Sequence, residues 1–580
     1  MLNYKEEYEK WLGGPFNEDI KAELKNLSEE EIKDRFYKQL NFGTGGLRGK
    51  IGAGTNRMNI YTVGKATQGL ADFINSHTNK GSAVIAYDSR NMSKEFALES
   101  ALILAANGVK AYLFEELRPT PELSFAVRHL KATAGIVITA SHNPPQYNGY
   151  KVYWEDGGQI VPPYDKLIID KVNSTDFSKI KRISLNEAQN SGLLKVIGKE
   201  VDDEYIKAVK SVSLNADLTK SSNLKIVYTP LNGTGLMPVT RVLKELGFNE
   251  VYVVPEQEKP DGNFPTLKYP NPEDKAAFDL ALKLAKEVDA DIALATDPDA
   301  DRLGVYSKDE KSGEYMRFTG NMSGLLIAEY ILSQRKEKGL LPKNSKDGAL
   351  VTTVVSSKMA YAVAKEYGLT VKEVLTGFKY IGEQIKLFEE AKAKNGGKLG
   401  NGAYEYEFGY EESYGCLAGT YARDKDAVSA VTLLCEAASY YKSKGISLWA
   451  QMQNIYKKYG YYVEDLHSVT LEGMEGAEKI SALMEKFRNN PPKEFNGEKV
   501  LAVRDYLLHT RKAEGKEQKI DLPKSNVIYF ELENDGWCCV RPSGTEPKIK
   551  FYFGAKGASA EKSQATLEKI KDGILGFCNL

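Results

Sequence analysis

Thr139-Ala140-Ser141-His142-Asn143-Pro144-Pro145 follows directly on the strand-like run Ala134 to Ile138. Its two prolines lack backbone N–H donors and fix their own φ, so the chain leaves the sheet there as a defined turn. A serine held on such a turn is exposed and oriented, with a histidine beside it. Taken alone, these residues fit any Ser-His turn. An acidic loop downstream and a basic, glycine-containing loop near the C-terminus give them more weight.

Outward from this turn the chain reads as strand, helix, strand. Ala83 to Tyr87 predicts a buried strand, Ser93 to Asn107 a helix stopped by Gly108, Lys110 to Phe114 a second strand, and Gly135 to Thr139 a third. That order is the sign of an α/β layer. The first forty residues read as helical, with Ser28-Glu29-Glu30-Glu31 offering a capping box to a helix running toward Leu40. Phe42 to Gly49 is too rich in glycine for a helix or strand interior.

The pattern then restarts twice. Lys225 to Thr229, Glu250 to Val254 and Asp291 to Ala295 predict strands, with helices over Leu236 to Leu246 and from the cap Asn271-Pro272-Glu273 to Glu287. A third unit predicts helices over Gly320 to Lys338, Ser356 to Tyr367 and Tyr380 to Lys392, with strands over Ala349 to Val355 and Thr370 to Glu373. The last stretch differs: Asn534-Asp535-Gly536 is a hairpin signal between Asn526 to Glu531 and Trp537 to Val540. Lys548 to Phe553 adds a strand, and Ala560 to Phe577 closes as a helix. The expectation is three related α/β mixed-sheet domains, 1–202, 203–320 and 321–458, plus an α+β domain, 459–580.

Composition narrows the function classes. With 78 basic and 79 acidic residues in 580, the chain carries a net charge of −1, which argues against a surface that wraps nucleic acid. Five cysteines, with only Cys538 and Cys539 close together, show neither zinc spacing nor a disulfide framework. The charged start, Met1-Leu2-Asn3-Tyr4-Lys5-Glu6-Glu7, lacks the apolar core of a signal peptide, and no run reaches the ~18 apolar residues that span a bilayer. A cytoplasmic protein that binds neither membrane nor nucleic acid is expected.

Asp297-Pro298-Asp299-Ala300-Asp301-Arg302 lies at the C-terminal end of a predicted strand, where open α/β sheets place ligands. Three acids at alternate positions converge on one hard cation if the backbone curls around it, and carboxylate oxygens suit magnesium. Arg541-Pro542-Ser543-Gly544-Thr545-Glu546-Pro547 has a guanidinium fork, two hydroxyls and a glycine, the ingredients of a phosphate clamp, although a surface turn reads similarly. Gly409-Tyr410-Glu411-Glu412-Ser413-Tyr414-Gly415 could receive sugar hydroxyls or be an ordinary polar turn. Arg423-Asp424-Lys425-Asp426 reads first as a solvated charge cluster and second as a site lysine.

Together and in this order, these loops and Gly43-Thr44-Gly45-Gly46-Leu47-Arg48 resemble the α-D-phosphohexomutase family, and its phosphoglucomutase branch most. The resemblance spans nearly the whole chain. It implies four domains around a central cleft, Ser141 carried as phosphoserine, and Mg²⁺ held by Asp297, Asp299, Asp301 and a phosphoserine oxygen. By the same likeness Glu411 and Ser413 bind sugar hydroxyls, and Arg541, Ser543, Gly544 and Thr545 grip the non-reacting phosphate. Thr376-Gly377-Phe378-Lys379 falls at the sugar-orientation loop, so Thr376, Gly377 and Lys379 join the substrate set. Arg48, His142 and Arg302 fall beside the reacting phosphate, and Lys425 matches a site lysine.

The implied reaction interconverts glucose 1-phosphate and glucose 6-phosphate through glucose 1,6-bisphosphate, which turns end for end between two transfers. Either His142 or Lys425 takes the hydroxyl proton. Tyr410 and Tyr414 depart from many phosphoglucomutases, which leaves mannose or pentose phosphates, or synthesis of the bisphosphate itself, as alternatives. A phosphatase using Asp297 as nucleophile and an inactive sugar-phosphate-binding scaffold are the readings from other classes. Ser141 and all three aspartates are intact, against the scaffold. A monomer or homodimer acting on small sugar phosphates is expected.

Overall fold

The computed structural model describes residues 3–43, 45–471, 473–543 and 548–579. Its strands form four sheets in chain order. The first runs Gly46–Lys50, Tyr147–Trp154, Ala134–Ile138, Ser82–Tyr87, Lys110–Phe114, Leu194–Ile197 from edge to edge. The second runs Tyr315–Phe318, Leu303–Lys308, Ile292–Thr296, Lys225–Thr229, Glu250–Val253, and the third Thr370–Val374, Gly348–Thr353, Glu405–Glu411, Gly415–Leu417.

One plan underlies all three. The central strands are parallel, and the last of them hands over to an antiparallel neighbour: Ala134–Ile138 to Tyr147–Trp154, Ile292–Thr296 to Leu303–Lys308, Glu405–Glu411 to Gly415–Leu417. The residues at those three handovers are Ser141, the Asp297–Asp301 run and Glu411 with Ser413. A parallel partner needs a long crossover, whereas an antiparallel one needs only a tight turn. Each unit therefore presents one short, rigid tip at the same corner of its sheet. The fourth sheet is antiparallel, and its Trp537–Pro542 to Lys548–Gly557 pair carries the basic loop in the corresponding way.

Burial explains the strands. Ala134–Ile138 and Ile292–Thr296 are buried throughout, as expected where helices cover both faces. The capping box at Ser28 is present, opening the helix Glu29–Phe36. Two expectations fail. Gly46–Lys50 lies in the region expected to be a glycine-rich loop, yet it is an edge strand paired with Tyr147–Trp154. A Cβ on Gly46 or Gly149 would strike a backbone oxygen, so the glycines here allow close strand approach rather than a turn. Asn271-Pro272-Glu273 does not open a helix either; a 3₁₀ turn begins at Lys275 and the helix is Asp279–Val288. The Glu273 carboxylate is engaged by Arg302, and a side chain on Gly304 would press on the Pro272 carbonyl, so this segment is held against the second sheet.

Apolar packing joins the first three units into one continuous core, running from Val84 and Leu123 through Leu294 and Val305 to Leu326, Leu350 and Phe408. The fourth has a core of its own, from Ile480 to Cys578. Among the described residues no helix is long and apolar enough to cross a membrane.

Candidate active site

The tips of the first three units and the strand Trp537–Pro542 of the fourth meet at a cleft of about 1460 Å³ lined by Arg48, Ser141, His142, Asp301, Arg302, Thr376, Gly377, Glu411, Ser413, Lys425 and Arg541. Every sheet unit contributes. Ser141 sits at φ 50°, left-handed for a non-glycine residue, and its amide donates to the Thr139 hydroxyl at 2.8 Å. That geometry turns the Ser141 hydroxyl onto the acidic tip of the second unit, where it donates to Asp297 Oδ2 at 2.6 Å. His142 Nδ1 lies 3.2 Å from Ser141 Oγ.

The acidic tip is a tight hairpin turn with Ala300 at φ 50°, so the three carboxylates curl inward rather than alternating across an extended chain. Asp297 Oδ1 accepts the amides of Asp301 and Arg302, both at 3.1 Å. One oxygen from each aspartate lies within 4.8 Å of the others, and all three residues are buried. Opposite ligands of an octahedral magnesium ion are about 4.2 Å apart. Asp299 Oδ1 and Asp301 Oδ1 are buried with no hydrogen-bond partner among the described residues. Buried acceptors are rarely left so. The donor set thus fits a hard divalent cation: Asp297, Asp299 and Asp301 would hold it beside the Ser141 oxygen.

Charge follows from this crowding. Burial, Asp299 and Asp301 push the Asp297 carboxyl well above the ordinary aspartate range. Burial opposes ionisation of Asp299, yet Lys151 outweighs it and holds that carboxyl low. Lys151 Nζ donates to Asp299 at 2.9 Å, and Lys425 Nζ pairs with Asp301 at 3.0 Å. Burial opposes the charge on Lys425; Asp301, Asp424 and Glu411 outweigh it and keep the ammonium firmly charged. Burial and the guanidinium groups of Arg302 and Arg48 push the His142 imidazole well below its usual value.

With this geometry in view, comparison with known proteins is decisive. The family description "Phosphoglucomutase/phosphomannomutase" matches as alpha/beta/alpha domain I over 39–179, domain II over 203–312, domain III over 319–459 and the C-terminal domain over 495–571. The chain belongs to the phosphoglucomutase/phosphomannomutase family. It is therefore an enzyme, a phosphotransferase mutase of the isomerase class. The phosphoglucomutase of Staphylococcus aureus strain MRSA252 is 39% identical over 550 residues, 94% of this chain and 95% of its own. In fold, the chain is similar to a phosphoglucomutase/phosphomannomutase family protein from Burkholderia thailandensis (TM-score 0.65, 20% identity, 93% of this chain and 98% of that one). It is equally similar to pp63/parafusin, a phosphoglucomutase from Paramecium (TM-score 0.65, 18% identity, 94% and 95%).

Within this phosphohexomutase cleft several sequence expectations need adjustment. Arg423-Asp424-Lys425-Asp426 is no solvated cluster: all four residues are buried. Arg423 donates to the carbonyls of Thr420 and Ala422, while Asp426 accepts from Tyr205 and Tyr421. Of the two departures in the sugar loop, Tyr410 is core, packed on Gly324, and only Tyr414 reaches the cleft. Its hydroxyl accepts from Arg317 at 3.0 Å. Lys379 and Ser543 are not among the residues lining the cleft. Lys379 is half-buried over the Tyr380 ring, and the Ser543 amide donates to the Lys548 carbonyl. Gly544 and Thr545 lie outside the described residues.

Sequence reasoning missed Lys151, Thr120 and Arg90. Thr120 donates to Asp299 at 2.9 Å. Lys151 is a lone cation in the buried strand Tyr150-Lys151-Val152-Tyr153-Trp154, a pattern that marks an interior partner charge. Arg90 follows the C-terminal end of Ser82–Tyr87, where such sheets gather function.

Proposed function

We propose that this enzyme is a phosphoglucomutase that interconverts glucose 1-phosphate and glucose 6-phosphate. The observation that carries the reading is the 2.6 Å contact between the Ser141 hydroxyl and Asp297, at a three-carboxylate cluster beside a cleft that Arg541 also lines. In this reading Ser141 rests as phosphoserine. The free sugar hydroxyl attacks its phosphorus, the Ser141 Oγ–P bond breaks, and the hydroxyl proton passes to the neutral His142 imidazole; Lys425, already charged, also lines the cleft but has no room for a further proton. Glucose 1,6-bisphosphate then turns end for end, and its other phosphate returns to Ser141 Oγ, releasing the isomerised monophosphate.

Little covalent work is asked of the protein beyond the nucleophile; positioning and charge neutralisation supply most of the acceleration. A phosphoserine near −2 beside three carboxylates needs positive charge. Mg²⁺ bound at the trio would supply part of it and polarise the phosphoryl oxygens. Arg48, Arg302 and Arg541 all line the cleft; in this reading the first two attend the reacting phosphate and Arg541 the distal one. Glu411 and Ser413 line the same cleft, and in this reading they accept from and donate to ring hydroxyls.

The test is a coupled assay on the 1-phosphates of glucose, mannose, ribose and deoxyribose, with Mg²⁺ and catalytic glucose 1,6-bisphosphate. Glucose 1-phosphate is expected to give the highest kcat/KM. Equal or better rates with a pentose phosphate would overturn the substrate.

A further inference from the structure

Arg90 is 3% exposed and touches none of the groups that would react, yet it holds the Ser141 loop from behind. One Nη donates to the carbonyls of Ser141 and Asn143, and the other donates to those of Pro144 at 3.0 Å and Tyr147 at 3.1 Å. All four negative ends of these peptide dipoles are thereby turned away from the serine. Asp88 fixes the guanidinium in turn, with Oδ2 at 3.4 Å from Nε and Oδ1 accepting the Arg90 amide.

The other face of Arg90 is covered by the second unit. The Phe264 ring lies 5.1 Å from the guanidinium carbon, and Asn91 Nδ2 donates to Asn263 Oδ1 at 3.0 Å. A Cβ on Gly262 would sit 2.4 Å from the Asn91 nitrogen, so the two backbones are in close contact. Phe264 is fully buried at φ 46°, a conformation a bulky residue adopts only when its surroundings impose it. From this seat the contacts run on to the acidic tip: the Asp261 amide donates to Asn232, and the Thr234 amide donates to Pro298 at 2.8 Å.

We propose that Arg90 and Phe264 are positioning residues that set the register between the Ser141 hydroxyl on one unit and the aspartate trio on the next. The proposal rests on the phosphoserine reading for its kinetic consequence but not for its geometry. The guanidinium is a fork that serves four carbonyls at once, which a lysine ammonium cannot. The ring supplies a face to the cation, which an aliphatic side chain cannot. Misplacement of a reacting atom by ~1 Å costs up to ~100-fold in rate.

The test compares wild type with Arg90→Lys, Phe264→Leu and Phe264→Ala. Phosphate uptake on Ser141 from glucose 1,6-bisphosphate is followed by intact mass, kcat and KM are measured for glucose 1-phosphate, and Mg²⁺ is titrated by calorimetry into unphosphorylated protein. Arg90→Lys and both Phe264 variants are expected to slow labelling and kcat by ~10–100-fold and to weaken Mg²⁺ binding, with KM within about twofold. Phe264→Leu restoring wild-type behaviour where Phe264→Ala does not would reduce the ring to core filling and overturn the proposal. So would wild-type labelling and Mg²⁺ affinity in Arg90→Lys. If Arg90→Lys does not fold, the Phe264 pair decides. If wild type takes up no phosphate, the phosphoserine reading fails, and the Mg²⁺ titration still judges the register.

Discussion

Beside cores of their own, the first three units share one large apolar cluster, whereas the fourth meets the third through a smaller one around Val354, Leu375, Tyr529 and Trp537. The serine and the aspartates belong to the fused part; Arg541 belongs to the separate one. The division matches what each must do. In the proposed cycle Ser141 and the aspartate trio need a fixed spacing, and close-packed interiors hold spacings rigidly. In the same cycle a grip on the distal phosphate must let a bisphosphate enter, turn and leave, which suits a domain with its own core and a smaller contact to its neighbour. At that contact Arg504 pairs with Glu373 at 2.6 Å and with Glu531 at 2.5 Å, and Lys358 pairs with Glu373 at 2.6 Å.

Four experiments would break or sharpen this contrast. Ser141→Ala should cost at least ~10⁴-fold in kcat, as removal of a nucleophile does, while the melting temperature of the fused part stays within a degree or so of wild type. Asp299→Asn should cost ~10²–10³-fold and make turnover far less responsive to Mg²⁺; unchanged metal dependence in steady-state assays would separate the trio from the chemistry. Arg541→Lys removes a fork but keeps a charge, so KM should rise ~10-fold with a smaller change in kcat. A fall in kcat alone would place Arg541 with the rigid half.

The smallest effect is on stability. Burial opposes ionisation of Glu531, but Arg511 and Arg504 outweigh it and depress its carboxyl to about 2. A depressed acid stabilises the fold above its unfolded pKa, near ~4.3, and loses that contribution as pH falls through its folded value. Glu531→Gln should therefore lower the melting temperature of the fourth unit at neutral pH by a few degrees. The gap to wild type should close between about pH 4 and pH 2 in scanning calorimetry. A gap that stays constant with pH would mean the pair contributes packing rather than charge.

Much of the fold could be read from the chain. Lys110–Phe114, Lys225–Thr229 and Leu236–Leu246 end where apolar runs and punctuating residues place them. What escaped was long-range. Gly46–Lys50 is a strand only because Tyr147–Trp154 offers it an edge, and nothing local announces that partner. The Ser141 tip and the acid trio were visible because prolines and repeated carboxylates are local signals. Lys151 and Arg90 were not, because each acts on a loop it reaches only in the folded state. The charge run at Lys425 misled for the same reason: its neutralising partner Asp301 is distant in sequence.

The handover between a parallel strand and its antiparallel neighbour gives the molecule one socket used three times with different contents: a hydroxyl, a set of carboxylates, a carboxylate with a hydroxyl. Side chains alternate faces along a strand, so the sheet behind each socket allows no half-steps. Contents can be exchanged at such a corner, residue for residue, while the scaffold keeps its registration. Lengthening a flanking strand by a single residue would instead rotate its whole set of side chains out of the cleft. Substitutions at the sockets thus leave the fold in register, whereas insertions in the strands beneath them do not.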